Sequence, residues 1–260
     1  MKNKSLLLTS IKTLARDYKK FLLSFFGVMT LMYLIEFIVA IYHGKSSIGG
    51  IEYVYFIACL VAGLISFKED YYFLSQNQVP KATIRNAFII EGFCFALVTG
   101  FTVNIYFHII KLISGSLKLE SPGFLALTPS GAEEGGFIGF VRTFVILFFL
   151  YAAVYFFGLL LSTINYRLNW LGRVAFWVPF GIAGFYVFFG SLDYIVSKTN
   201  PEESLEMPSL ILAKPFTDCL DWFLRGWGNF VVGSAVLIVI CVVLGAVIFR
   251  KAEIKYSNIK

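Results

Sequence analysis

Groups able to do chemistry are few in this chain of 260 residues, and they are widely spaced. Its two histidines, His43 and His108, belong to no HExxH pair, so the helix-borne zinc site of a metalloprotease is not encoded. No GxSxG turn is present to present a serine nucleophile. A Ser–His–Asp set would have to use one of the same two histidines, with no evident partner. The cysteines Cys59, Cys94, Cys219 and Cys241 show no CxxC spacing, and three lie in apolar runs. They read as small buried hydrophobes, not as a disulfide framework or a metal site. Gly44-Lys45-Ser46 matches the tail of a Walker A loop, but the glycine required five residues earlier is Val39. The expectation is therefore no catalytic residue, no metal and no cofactor held by this chain.

A second group of polar residues interrupts apolar runs: Glu36, Glu91, Asn104, His108 and Arg142. A charge at the centre of a bilayer costs about 2.5–3.5 kcal/mol on insertion scales, so such residues face the bundle interior, water or each other. His108 and Arg142 fall near the ends of their runs, where exposure is cheap. Glu91 lies about two turns from Arg85, close to an interface. Glu36 is deeper. Glu36, Glu91 and Asn104 are the candidates for lining a cargo path; interhelical hydrogen bonding, with the acids neutral, fits them as well.

These residues need elements to position them, and composition says which. Hydrophobic residues make up 58% of the chain and charged residues 15%, against about a quarter charged in a soluble domain. Mean hydropathy is +0.77. Too little polar surface remains to face water, so lipid is the expected solvent. The expected fold is all-α: a single polytopic transmembrane domain over 1–260 with about six spanning helices, near 21–42, 51–67, 86–112, 137–163, 174–196 and 228–249. Continuous apolar runs without in/out alternation exclude a membrane barrel. The third and fourth runs exceed a bilayer's thickness and must tilt or protrude. Residues 5–20 place Leu7, Ile11, Leu14 and Tyr18 on one helical face and Lys12, Arg16 and Lys19 on another. This is an amphipathic elbow helix lying in the interface, or an extension of the first span. The first apolar run is too long for a cleaved signal peptide.

Orientation follows from the basic residues. Most of the 22 Lys and Arg fall at the N-terminus, in the second-to-third and fourth-to-fifth connections, and in the tail. The positive-inside rule then puts both termini in the cytoplasm of a cell membrane. The formal charge of +6 is read as these loops, with no nucleic-acid partner. Two outer loops are expected near 113–136 and 197–227; the second is apolar enough to hold a short surface helix. Gly135-x-x-x-Gly139 permits close helix approach.

The most distinctive stretch is the second-to-third connection, FKEDYYFLSQNQVPKATIR over 67–85. Lys68, Glu69 and Asp70 precede Tyr71, Tyr72 and Phe73, and Gln76 opens a polar turn up to Pro80. A short helix over 68–76 presents an aromatic face suited to a protein groove, or rests on lipid headgroups. Pro80 is placed near the start of the next helix.

This stretch, with the layout of six spans and an N-terminal elbow, resembles the permease subunits of type-2 ATP-binding-cassette (ABC) exporters. In that family a segment of this type after the second span is the coupling helix that contacts a separate ATPase. The resemblance implies that Lys68, Glu69, Asp70, Tyr71, Tyr72, Phe73 and Gln76 form the ATPase-coupling surface, with ATP and Mg held by the partner. It also implies a second permease copy or paralogue, and no enzymatic activity in this chain. One departure is Gln78-Val79-Pro80-Lys81, where many relatives carry Gly-x-Ser/Thr-Arg. The rivals are a non-transporting immunity or sensor component, which shares the layout, and a membrane-embedded enzyme, which lacks convergent polar groups here. Cysteine-labelling of single-cysteine variants is expected to place residue 2 and residue 258 on the same, cytoplasmic face; opposite faces would overturn the even number of spans.

Overall fold

The computed structural model describes residues 2–43, 51–117, 136–182, 222–223 and 225–250. Among them every regular element is helical, as the all-α expectation requires. In chain order these are α1 (Lys2–His43), α2 (Ile51–Gln76), α3 (Lys81–Leu117), α4 (Phe137–Arg167), α5 (170–182) and α6 (Trp227–Arg250). Among the described residues three stretches are long and apolar enough to cross a membrane: Lys81–Ile109, Phe137–Arg167 and Trp227–Phe249. They correspond to the expected spans 86–112, 137–163 and 228–249, which is three where six were expected. The apolar stretch of α1 among the described side chains, Leu22–Met32, is shorter than a span. In α2 the apolar run gives way to Lys68, Glu69 and Asp70. Most of the expected span 174–196, most of both outer loops, Gly135 and Cys219 lie outside the described residues.

Two boundaries differ from expectation. The elbow at 5–20 and the span at 21–42 form one unbroken helix. The reason is local: α1 contains no proline and one glycine, Gly27, so nothing stops propagation. The link between α4 and α5 is also tighter than expected, with only Leu168 and Asn169 outside the helices. Leu168 is extended at φ −71° and ψ 138°. The Trp177 indole then donates to Asn165 Oδ1 at 3.2 Å and Arg173 Nε to the Asn165 carbonyl at 3.3 Å, pinning α5 to the end of α4.

The bundle is built around α4, which packs against α2, α3 and α6. Its residues Tyr151 to Phe156 are all buried. A run of six exceeds one 3.6-residue turn, so α4 is covered on every side. The contact with α2 is the closest. A Cβ at Gly158 would stand 2.5 Å from the Leu60 carbonyl oxygen and 3.2 Å from the Leu64 amide nitrogen. One at Gly63 would overlap the Tyr155 carbonyl and lie 2.9 Å from the Leu159 amide nitrogen. Beside this crossing the Ser162 hydroxyl donates to the Leu64 carbonyl at 2.6 Å. On α3 the small residues Gly92, Ala96 and Gly100 recur every fourth position. Gly92 faces the rings of Tyr155 and Phe156, and Gly100 the backbone of Phe148. The Gly139 of the expected GxxxG pair is buried on α4.

Toward the end of the bundle where α4 and α6 start, the helices are held by aromatic and polar contacts. Near the start of α4 and α6, the Arg142 guanidinium lies over the Trp227 ring, 5.2 Å from its centroid. Just before α6, Asn229 Nδ2 donates to the Trp222 carbonyl at 3.1 Å, and the Phe223 ring packs on Gly233 and on Phe230. On the α1 side, Thr30 is hydrogen-bonded to the Tyr106 hydroxyl of α3, and Phe25 sets its edge against Tyr55 of α2 at 5.2 Å. The outer surface is apolar: Leu31, Leu34 and Ile38 on α1, Ile57 and Ile65 on α2, Val239 and Val243 on α6 are all exposed. Left in water, each such side chain would forgo about 1.5–3 kcal/mol; in hydrocarbon it forgoes nothing.

Gly63→Ala and Gly158→Ala each push a methyl into backbone that cannot yield, so each is expected to lower stability by about 1–3 kcal/mol. Gly27→Ala meets nothing within 4 Å and gains about 1 kcal/mol in helix propensity. Thermal unfolding in detergent should show the first two melting below the parent and the third at or above it; equal melting of all three would remove the close crossing.

Candidate functional site

The corner between α2 and α3 is made by a helix stop and a helix start in immediate succession. Val79 N–H donates to the Leu74 carbonyl at 3.1 Å and Gln78 N–H to the Ser75 carbonyl at 3.1 Å. This pair of bonds is a Schellman motif. The residue in the left-handed position is Gln78, with φ 55°, where glycine is usual. The hydrophobic contact that accompanies the motif is present, with Val79 packed against the cluster that contains Leu74. The Pro80 carbonyl then accepts from Thr83 N–H at 2.9 Å and Ile84 N–H at 3.1 Å, which opens α3. Pro80 therefore stands at the helix start, as expected.

The expected short helix at 68–76 is not a separate element. It is the last third of α2, because no glycine or proline stands between Leu64 and Pro80 to interrupt the helix. Its inward stripe is Phe67, Tyr71 and Leu74, spaced four and three apart. They close a cluster with Leu14 of α1, Ile84, Ala87 and Phe88 of α3, and Phe249 of α6. Tyr71 stacks on Phe67 at 5.2 Å and meets Phe249 edge-on at 5.2 Å and Tyr166 of α4 at 5.7 Å. The cluster thus ties together five helices at one end of the bundle. Burial pushes the Tyr71 phenol above its ordinary value, so it stays neutral.

The expected coupling residues divide accordingly. Tyr71 is fully buried and offers nothing to a partner, which corrects its assignment to the docking face. Phe73 is 51% exposed, Gln76, Asn77 and Gln78 are exposed, and Asp70 and Tyr72 are half-buried. The side chains of Lys68 and Glu69 lie outside the described residues. Asn77 Nδ2 donates back to the Phe73 carbonyl at 2.8 Å, which fixes the exposed edge.

Of the cargo-path candidates, Glu91 and Asn104 are not brought together. Glu36 sits on α1 with its side chain outside the described residues. Glu91 is buried on α3. Asn104 is fully buried and its Nδ2 donates to the Phe140 carbonyl of α4 at 3.1 Å. At 1.5 Å per residue, Glu91 and Asn104 stand about 20 Å apart along α3. Asn104 therefore acts as an interhelical tie between α3 and α4. His108 lies 5.0 Å from the Phe140 ring in the same seam. Cys59 and Cys241 are buried, and Cys94 is exposed on α3; all three are free thiols.

One feature has no counterpart among the sequence expectations. A cleft between α2, α3, α4 and α6 opens beside the corner, lined by apolar side chains and by Arg85. On sequence grounds Arg85 is one of the cations of the second-to-third connection. Comparison of the chain with protein-family models, curated proteins and solved structures found no match.

Tyr71→Ala removes a ring held on three sides, and is expected to cost about 3–5 kcal/mol. Phe73→Ala, on the exposed edge of the same turn, should change stability by no more than about 0.5 kcal/mol. Denaturation in detergent reads both; similar losses would mean that the two rings have been assigned to the wrong faces.

Proposed function

We propose that this chain is a six-span membrane protein of the cell membrane and the permease subunit of an ATP-driven exporter. Both termini lie in the cytoplasm, and the N-terminal part of α1 lies at the cytoplasmic end. The observation that carries this reading is the α2–α3 corner: an exposed aromatic and polar edge mounted on a stiff, fully packed base. A coupling element needs both parts. Exposed Phe73, half-buried Tyr72 and Gln76 supply a docking edge for an ATPase groove. The Schellman turn and the buried cluster transmit a push on that edge to five helices at once, because packed interiors move as blocks and do not deform smoothly. The resemblance of residues 67–88 to the coupling segment of type-2 ABC exporters supports the same assignment.

In this mechanism two permease subunits, identical or related, each dock on a separate ATPase that holds ATP and Mg. Closure of the ATPases drives the corners, and the corners carry α2, α3 and the central α4 with them, changing access to a cavity between the two copies. The chain performs mechanical coupling and cargo selection, not chemistry. An amphipathic cargo, such as a membrane-active peptide, suits a bundle rich in Phe and Tyr.

The test keeps Tyr71 and changes only the edge. Tyr72→Ala combined with Phe73→Asp is expected to abolish co-purification with a co-expressed ABC ATPase partner, with an unchanged melting temperature. Co-purification that survives the double substitution removes the docking assignment.

A further inference from the structure

The cleft beside the corner combines apolar walls with the cation Arg85. Its empty space is about 400 Å³, open side included. It runs from Arg85, just inside α3, past Phe88 and Phe249 to Phe156 and Cys241 in the depth of the bundle. Along α6 the lining extends from Cys241 to Phe249, about 12 Å at 1.5 Å per residue. Gly245 forms part of the wall, and a Cβ there would meet nothing within 4 Å.

The lining holds two polar side chains. Thr163 is already satisfied, its hydroxyl donating to the Leu159 carbonyl at 2.7 Å. Arg85 is not. Its Nε and Nη2 reach only the neighbouring Asn86 Oδ1, at 3.4 Å each, beyond the range of a good bond. Among the described residues its half-buried guanidinium makes no ion pair. The positive end of the α3 dipole adds to the local potential.

We propose that this cleft binds an anionic phospholipid, with an acyl chain between α3, α4 and α6 and the phosphate on Arg85. A bare apolar cleft would accept any chain. The guanidinium at its mouth selects a head with a bidentate anion. Water is excluded as the resident, because the deep wall offers it no polar partner. The bilayer supplies the lipid in the leaflet at the Arg85 end. This inference rests on membrane insertion, and not on ATPase coupling.

Native mass spectrometry of the detergent-purified chain with phosphatidylglycerol and phosphatidylcholine of matched acyl chains tests it. Phosphatidylglycerol should be retained about fivefold more than phosphatidylcholine. Arg85→Gln should erase that preference while leaving chain-dependent retention. Gly245→Leu, which adds a side chain to the cleft wall at a position where a Cβ meets nothing within 4 Å, should reduce retention of both lipids. Glycerol 1-phosphate, a head without a chain, should not displace the lipid. Equal retention of the two lipids, a preference that survives Arg85→Gln, unchanged retention in Gly245→Leu, or displacement by glycerol 1-phosphate would each overturn the site. Failure of membrane insertion itself shows separately, as a chain that stays monodisperse without detergent.

Discussion

The backbone-to-backbone approach of α2 and α4 at Gly63 and Gly158 is the constraint on which the rest of the bundle depends. Hydrocarbon gives two apolar helices no reason to prefer each other over lipid, so association has to come from van der Waals packing and from polar bonds. Both appear at this crossing. The two glycines bring main chains to contact distance, and the Ser162 hydroxyl bonds the Leu64 carbonyl beside them. Larger residues at either position would hold the helices apart and break the second contribution with the first.

Once α2 and α4 are in place, the positions of the other helices follow. α3 lays the small-residue row Gly92, Ala96 and Gly100 against the far side of α4, and Asn104 adds one directional bond to the Phe140 carbonyl. α6 closes the remaining side, pinned at one end by Arg142 over Trp227 and at the other by Phe249 in the aromatic cluster. The bonds of Ser162 to Leu64, Asn104 to Phe140 and Thr30 to Tyr106 each sit where two helices meet. In a medium that cannot hydrogen-bond, that placement makes them markers of register and not a source of bulk stability.

The corner between α2 and α3 shows how a surface can be both exposed and rigid. Successive residues of one helical turn point in different directions, so Tyr71 enters the core while Phe73 leaves it. The same turn therefore anchors and presents. Gln78 holds a left-handed conformation that costs a non-glycine residue about 1–2 kcal/mol, a cost met by the two Schellman bonds and the contact of Val79 with the cluster.

The sequence by itself determined an all-helical chain with long apolar stretches. Apolar runs, scarce charge and the helix-stopping Pro80 suffice for that, because hydropathy and breakers act locally. It also singled out residues 67–85 and named Asn104 as a candidate for either a cargo path or an interhelical bond. What only the tertiary structure decided is which apolar face of each helix meets protein and which meets lipid. In water the two faces differ in polarity and periodicity reveals them; in a bilayer both are apolar, and at the corner Tyr71 and Phe73 are both aromatic, so the letters do not separate them. The same degeneracy hid the contacts at Gly63 and Gly158 behind the more obvious Gly135-x-x-x-Gly139 spacing, although the four-residue rhythm of Gly92, Ala96 and Gly100 was there to be read. The cleft at Arg85 was beyond any local reading, since its walls come from four helices distant in the chain. Shape, which arises only when helices pack, is what distinguishes one apolar surface from another.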